Sequence, residues 1–226
     1  MDLVTTGTDI ERVIVTEEEI RARLKELAKQ VEKDYEGRDL LLIGVLKGAV
    51  MTMADFARSL QRHIEMDWMA VSSYGSGTKS SGVVRILKDL DRDITGREVI
   101  IVEDIVDTGL TLGWLKANLE SRGAKSVEIL TMLRKPEAAK VEVDVKYVGF
   151  DIPTEFVVGY GLDVDEKYRN LDFIGVLAKH MYSCVRRTQR KRLYLHLIQQ
   201  QNQRQRRKLN SLKPDSERFY AAHFSG

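Results

Sequence analysis

Apolar residues along the chain alternate between two spacings, and that alternation predicts the architecture. From Thr16 to Asp34 they recur at helical intervals (Ile20, Leu24, Leu27, Ala28, Val31), and Thr16 with Glu19 forms a capping-box pair at the start. Leu40–Leu46 is then continuously apolar over the length of one strand, and a helical stretch follows from about Ala49 to Leu60. The same unit returns as an apolar run at Val99–Val102, a helix from Thr111 to Ser121 stopped by Gly123, and a second run at Ser126–Leu133. Short uninterrupted apolar runs between helices predict buried parallel strands, although pattern alone leaves a buried helix open. The fold class is therefore α/β, with a central, mostly parallel sheet flanked by helices.

Other stretches fill out this frame. Met66–Ser73 and Val83–Leu90 read as strands, joined by the small-residue connector YGSGTKSSG. That connector is too long for a tight hairpin and reads as a mobile flap. Its GSGTKSS core lacks the spacing of a phosphate-binding P-loop. Further strands are expected at Val145–Gly149, Phe156–Tyr160 and Phe173–Val176. There is no internal repeat.

Charge divides the chain. Residues 184–226 hold eleven Lys/Arg against two acids, whereas residues 1–183 hold 25 basic and 32 acidic side chains. The body (1–183) is expected to be an acidic globule. The Gln/Arg-rich tail is expected to be disordered or loosely helical, able to meet RNA, an anionic membrane surface or an acidic partner. No run reaches the roughly 18–20 apolar residues a membrane span needs. The acidic N-terminus lacks a signal pattern, and the one cysteine, Cys184, suits a reducing cytoplasm. His63, His180, His196 and His223 have no zinc-ligand spacing.

The segment richest in chemistry is Val99-Ile-Ile-Val-Glu-Asp-Ile-Val-Asp-Thr-Gly-Leu-Thr-Leu112. An apolar strand runs into Glu103 and Asp104, a third acid follows at Asp107, and Thr108, Gly109 and Thr111 lead into a helix. Ligands of open α/β sheets bind where strands end and helices begin. There, free N–H groups and the helix dipole favour an anion, and glycine allows a phosphate to approach closely. Three carboxylates would repel that phosphate unless they face sugar hydroxyls, a metal ion or a proton to be removed. Asp107 could equally cap the helix after Thr108.

This acid-acid-x-x-acid-Thr-Gly-x-Thr pattern resembles the phosphoribosyl pyrophosphate (PRPP) loop of the type I phosphoribosyltransferases. Leu40 to about Tyr182 is similar to their hypoxanthine–guanine branch. Leu46-Lys47-Gly48-Ala49 resembles the pyrophosphate loop, and Ser72-Ser73-Tyr74-Gly75 the start of the catalytic flap. Arg134-Lys135-Pro136 resembles the base-recognition segment, and Val148–Asp163 with Tyr168–Leu171 the purine hood and the loop after it.

The resemblance implies a fold with a small hood and a flexible flap, and an enzyme of purine salvage. It would convert hypoxanthine (and guanine) plus PRPP to the nucleoside monophosphate and pyrophosphate, with Mg²⁺. By the same resemblance Glu103 and Asp104 serve the ribose hydroxyls and the metal, Asp163 is a further metal-side carboxylate, and Asp107 is the general acid/base. Ile105, Val106, Thr108, Gly109, Leu110 and Thr111 wrap the 5′-phosphate. Lys47, Gly48 and Arg169 hold pyrophosphate, and the Leu46–Lys47 bond can be cis. Lys135 donates to O6 of a 6-oxopurine, Phe156 stacks on the ring and Val157 reads its edge. Ser73 and Tyr74 contact reactants when the flap shuts. Family members associate as homodimers or homotetramers. The rival expectation is a regulator of the same fold that senses nucleotides and binds nucleic acid, which would need a positive face that the acidic body lacks.

Overall fold

A computed structural model describes residues 6–73 and 84–182. The flap from Tyr74 and the basic tail 184–226 lie outside the described residues. The chain divides at Ala178; of the unit from Lys179 onward, only residues to Tyr182 are described.

Strand β1 (Ile10–Val15) leads into helix α1 (Glu17–Asp34). The Thr16 side chain accepts from the Glu19 N–H while the Glu19 carboxylate accepts from the Thr16 N–H at 2.8 Å, so the capping box forms as the sequence predicts. Ile20, Leu24, Leu27, Ala28 and Val31 make the buried stripe of α1. Then come β2 (Leu40–Leu46), α2 (Val50–Ser59), β3 (Glu65–Ser73), β4 (Val84–Lys88), β5 (Glu98–Val106), α3 (Leu110–Ser121), β6 (Ser126–Arg134) and β7 (Tyr147–Asp151). Short β8 (Val157–Val158) and β9 (Ile174–Leu177) complete the described strands.

The main sheet has the order β4-β3-β2-β5-β6-β7, and every pairing is parallel except that of β3 with edge strand β4. Its two faces are covered separately. Leu40 and Leu42 of β2 and Ile100 and Val102 of β5 pack with α1 and α2 residues such as Leu27 and Phe56. Leu41, Ile43, Val99 and Ile101 pack on the other side with Leu112, Leu115 and Leu119 of α3. Burial on both faces is why β2 reads as an unbroken apolar run. Beside this sheet, β1, β9 and β8 form a small antiparallel sheet, the hood.

The central expectations hold, with corrections at the edges. β5 runs on to Val106 rather than ending at Val102, because β6 is equally long and pairs Glu103 with Thr131, Ile105 with Leu133 and Val106 with Arg134. The paired acids therefore stand within the strand. The Val145–Gly149 strand sits two residues later, at Tyr147–Asp151, and the Phe156–Tyr160 strand shrinks to two residues. β1 was not foreseen.

The order in which strands are added reverses between the parallel strands β2 and β5. From β2 the chain passes through α2 to β3 on one side, and from β5 through α3 to β6 on the other. Their carboxyl ends thus open a crevice at the switch point of the sheet. Lys47, Gly48 and the Glu103–Thr111 segment all lie there.

Candidate active site

Three backbone segments meet at this crevice. The Leu46–Lys47 peptide bond is cis. Gly48 abuts Asp104 so closely that a Cβ on it would lie 1.7 Å from Asp104 Oδ2. Gly161, at φ +98°, packs on the same loop from the hood, and a Cβ there would lie 2.0 Å from the Gly48 carbonyl oxygen. Only glycine at both positions lets β2, β5 and the hood approach this closely.

Glu103 and Asp104 sit side by side and half-buried. Burial, and then the charge of Asp104, push the Glu103 carboxyl well above its ordinary range. Burial also raises Asp104, although its carboxylate accepts from the Ile105 N–H at 2.8 Å. Among the described residues no lysine, arginine or histidine pairs directly with either acid; Arg169 acts on Asp104 only from further off. Two adjacent, half-buried carboxylates of this kind fit a hard divalent cation, whose charge would offset the cost of keeping them ionised there. Among the described residues no group of three ligating side chains gathers to hold a metal. Mg²⁺ binds through one or two carboxylates and fills its remaining positions with water and substrate phosphates.

Beyond Val106, Asp107 is exposed, with 53% of its side chain accessible. It does not cap the helix; Gly109, at φ +76°, occupies the N-cap of α3 and leaves the site without a side-chain cap. A Cβ on Gly109 would come within 2.6 Å of the Val141 carbonyl oxygen, which excludes a capping aspartate or serine at this position. The first-turn N–H groups of α3 have no carbonyl one turn back, so Leu110 and Thr111 stand at the positive end of a helix. The Thr108 carbonyl accepts from the Lys140 and Val141 N–H groups at 3.0 and 3.2 Å, which pins the loop.

Lys135 follows β6, on the adjacent strand end. Its N–H donates to the Val106 carbonyl at 2.9 Å, its side chain is 10% exposed, and its Nζ lies 3.8 Å from Asp107 Oδ2. Phe156 is exposed and Val157 buried at the start of β8. The Phe156 carbonyl accepts from the Leu177 N–H at 2.9 Å, which anchors that edge of the hood.

On the other side of the crevice Arg169 reaches Asp163 (2.7 Å) and Glu166 (3.3 Å), and donates to the Gly161 carbonyl at 2.6 Å. Lys47 pairs with the same Glu166 at 3.1 Å. The lysine is the main cause holding the Glu166 carboxyl below its ordinary range. Glu166 was not singled out in the sequence, nor was Gly161. Glu166 carried no motif signal, whereas the Gly-Tyr-Gly run at Gly159–Gly161 was visible as glycine within a strand-like stretch. Of the residues expected in the flap, the Ser73 backbone closes β3 and Tyr74 lies outside the described residues.

A phosphoribosyl transferase domain matches residues 12–165. The hypoxanthine-guanine phosphoribosyltransferase of Mycobacterium tuberculosis is 57% identical over 180 residues, covering 77% of this chain and 89% of that one. The chain belongs to the hypoxanthine-guanine phosphoribosyltransferase family. The Streptococcus thermophilus member is 51% identical over 175 residues, covering 77% of this chain and 97% of its own. A crystal structure of a hypoxanthine phosphoribosyltransferase from Staphylococcus aureus superposes with a TM-score of 0.77 at 47% identity, over 80% of this chain and 98% of that one. Family membership thus agrees with the fold and with the order of the segments around the crevice. Among the described residues no helix is long and apolar enough to cross a membrane.

Proposed function

We propose that this chain joins hypoxanthine or guanine to the ribose of PRPP, releasing pyrophosphate, at the crevice between β2 and β5. The observation that carries the reading is the placement of an acid couple, Glu103 and Asp104, unpaired among the described residues, between a helix N-terminus on one side and two cations, Lys47 and Arg169, on the other. PRPP has a matching layout: a monophosphate at C5, two hydroxyls in the middle and a pyrophosphate at C1.

The 5′-phosphate takes the first-turn N–H groups of α3 together with Thr108, Gly109, Leu110 and Thr111. Ile105 and Val106 bring the strand to that loop. Glu103 and Asp104 accept from the ribose hydroxyls, and their charge suits a sugar that becomes cationic as its C1–O bond to pyrophosphate lengthens. Bound Mg²⁺, held by Glu103 and Asp104 with Asp163 nearby, would neutralise phosphate charge. Lys47, the Gly48 backbone and Arg169 hold the departing pyrophosphate, the arginine by its planar fork. As purine N9 bonds to C1, the ring becomes positive and its N7 proton is shared with Asp107, whose side chain is exposed. Lys135 donates to O6, Phe156 stacks and the Val157 backbone reads the base edge. Adenine carries an amino group where the lysine needs an acceptor, so it is rejected. The flap, with Ser73 and Tyr74, excludes water from the activated sugar.

Residues 1–183 carry this chemistry, in the cytoplasm, as a homodimer or homotetramer; sedimentation of the purified chain decides between the two. The basic tail 184–226 is dispensable for turnover, and truncation after Ser183 is expected to leave activity intact. For the mechanism, Asp107→Asn should bind PRPP normally by calorimetry and lose most turnover with hypoxanthine. Near-normal turnover in that variant removes Asp107 from the reaction.

A further inference from the structure

The two cations assigned to pyrophosphate are already joined by a carboxylate of the chain itself. Glu166 Oε1 lies 3.1 Å from Lys47 Nζ, and Glu166 Oε2 lies 3.3 Å from Arg169 Nη2. One carboxylate thus spans a lysine on the β2–α2 loop and an arginine 122 residues further along, as a phosphate group would. The loop that presents it is bent sharply. Asp165, Glu166 and Tyr168 all have positive φ (54°, 62° and 72°), a region L-residues with side chains seldom occupy. The Glu166 N–H donates to Asp163 Oδ2 at 2.8 Å, tying the turn to the carboxylate that also pairs with Arg169. The Glu166 side chain is nevertheless 46% exposed, and that of Lys47 is 67% exposed. Ion pairs this open to solvent are weak and readily exchanged.

From this we infer that Glu166 is an internal stand-in for pyrophosphate: a displaceable carboxylate that competes with it for Lys47 and Arg169, weakening its hold and hastening its release. The inference rests on the proposed pyrophosphate role of those two cations. In the open site Glu166 bridges the two cations and lowers their net charge. An arriving pyrophosphate must break both contacts, after which the freed carboxylate remains nearby as a like charge. Each effect opposes tight product binding, which matters where product release limits turnover. Glu166 is here a tuning residue; it touches neither the sugar nor the base.

The test is inhibition by pyrophosphate, measured against PRPP in the forward reaction for the full-length protein. Glu166→Gln keeps the shape and removes the charge. Glu166→Asn removes the charge with a residue that tolerates positive φ, so it keeps the turn even if glutamine disturbs it. Both variants are expected to bind pyrophosphate roughly three- to tenfold more tightly at low salt, with the gain shrinking at about 0.5 M salt as screening takes over. The KM for hypoxanthine should stay unchanged, which a general loosening of the site would not produce. Unchanged or weaker pyrophosphate inhibition in both folded variants overturns the inference. Lys47→Met and Arg169→Met separate the two layers. If they weaken pyrophosphate inhibition while the Glu166 variants do nothing, only the stand-in role fails. If they too leave inhibition unchanged, the pyrophosphate assignment itself is wrong.

Discussion

Replacing Lys135 by methionine isolates the step that selects the base. The side chain is 90% enclosed and its one ion pair among the described residues, to Asp107, is long at 3.8 Å. A nearly buried ammonium so weakly paired is costly to desolvate, so its removal in favour of an apolar chain of similar length should be neutral or slightly stabilising to the fold. A loss of activity can then be assigned to the ligand. A hydrogen bond from a charged donor contributes about 1.5–3 kcal/mol, or roughly a 10- to 150-fold fall in kcat/KM for hypoxanthine. Adenine never had that bond, so its kcat/KM should change little and discrimination should narrow by nearly the same factor. The KM for PRPP should hold, because the lysine is assigned to the base and not to either phosphate group. Steady-state kinetics with both bases, beside a melting curve, read all three quantities. Undiminished discrimination would refute the assignment, and so would a fall in PRPP affinity with hypoxanthine unaffected.

Other substitutions probe the framework. Gly48→Ala places a methyl group 1.7 Å from Asp104 Oδ2, so the carboxylate must swing aside; a shift of about 1 Å at such a site costs up to roughly 100-fold in kcat/KM, with melting temperature little changed. Thr16→Ala removes the α1 cap and should cost about 1 kcal/mol in a denaturant melt without altering KM for either substrate. Glu98, with only 6% of its side chain exposed, is held by Lys125 (2.8 Å), Ser126 and Arg38 (3.2 Å), which bring its carboxyl down to about 2. A carboxyl depressed on folding stabilises above its unfolded value of 4.5 and loses that contribution as pH falls towards 2. Because Arg38 and Lys125 are themselves largely exposed, the contribution is about 1–2 kcal/mol rather than the full shift. Urea melts of wild type and Glu98→Gln should therefore differ at pH 6 and converge near pH 2; a constant difference would contradict the linkage.

How much of this was legible in the sequence depended on how local the cause was. β2 was readable because burial on both faces leaves no polar position in Leu40–Leu46. The Thr16–Glu19 cap and the Gly123 stop were readable because they involve neighbours in the chain. β1 was not, since its strand forms by pairing Ile10 with Leu177 and Val15 with Ile174 of β9, across nearly the whole body. The end of β5 was misjudged for a similar reason: two acids and an aspartate look like a turn, yet the ladder to Leu133 and Arg134 holds Ile105 and Val106 in the sheet. In the site, the acid pair and Lys135 stood in recognisable segments. Glu166 did not, because its meaning arises only when the turn from Asp163 to Arg169 folds back over the Lys47 loop.

The most direct measurement of the central claim is product formation by the purified chain supplied with PRPP, Mg²⁺ and hypoxanthine. The account predicts pyrophosphate and inosine monophosphate in equal amounts, only when all three are present, and far less pyrophosphate when adenine replaces hypoxanthine. PRPP consumed without nucleotide, or no pyrophosphate with either 6-oxopurine, would contradict it.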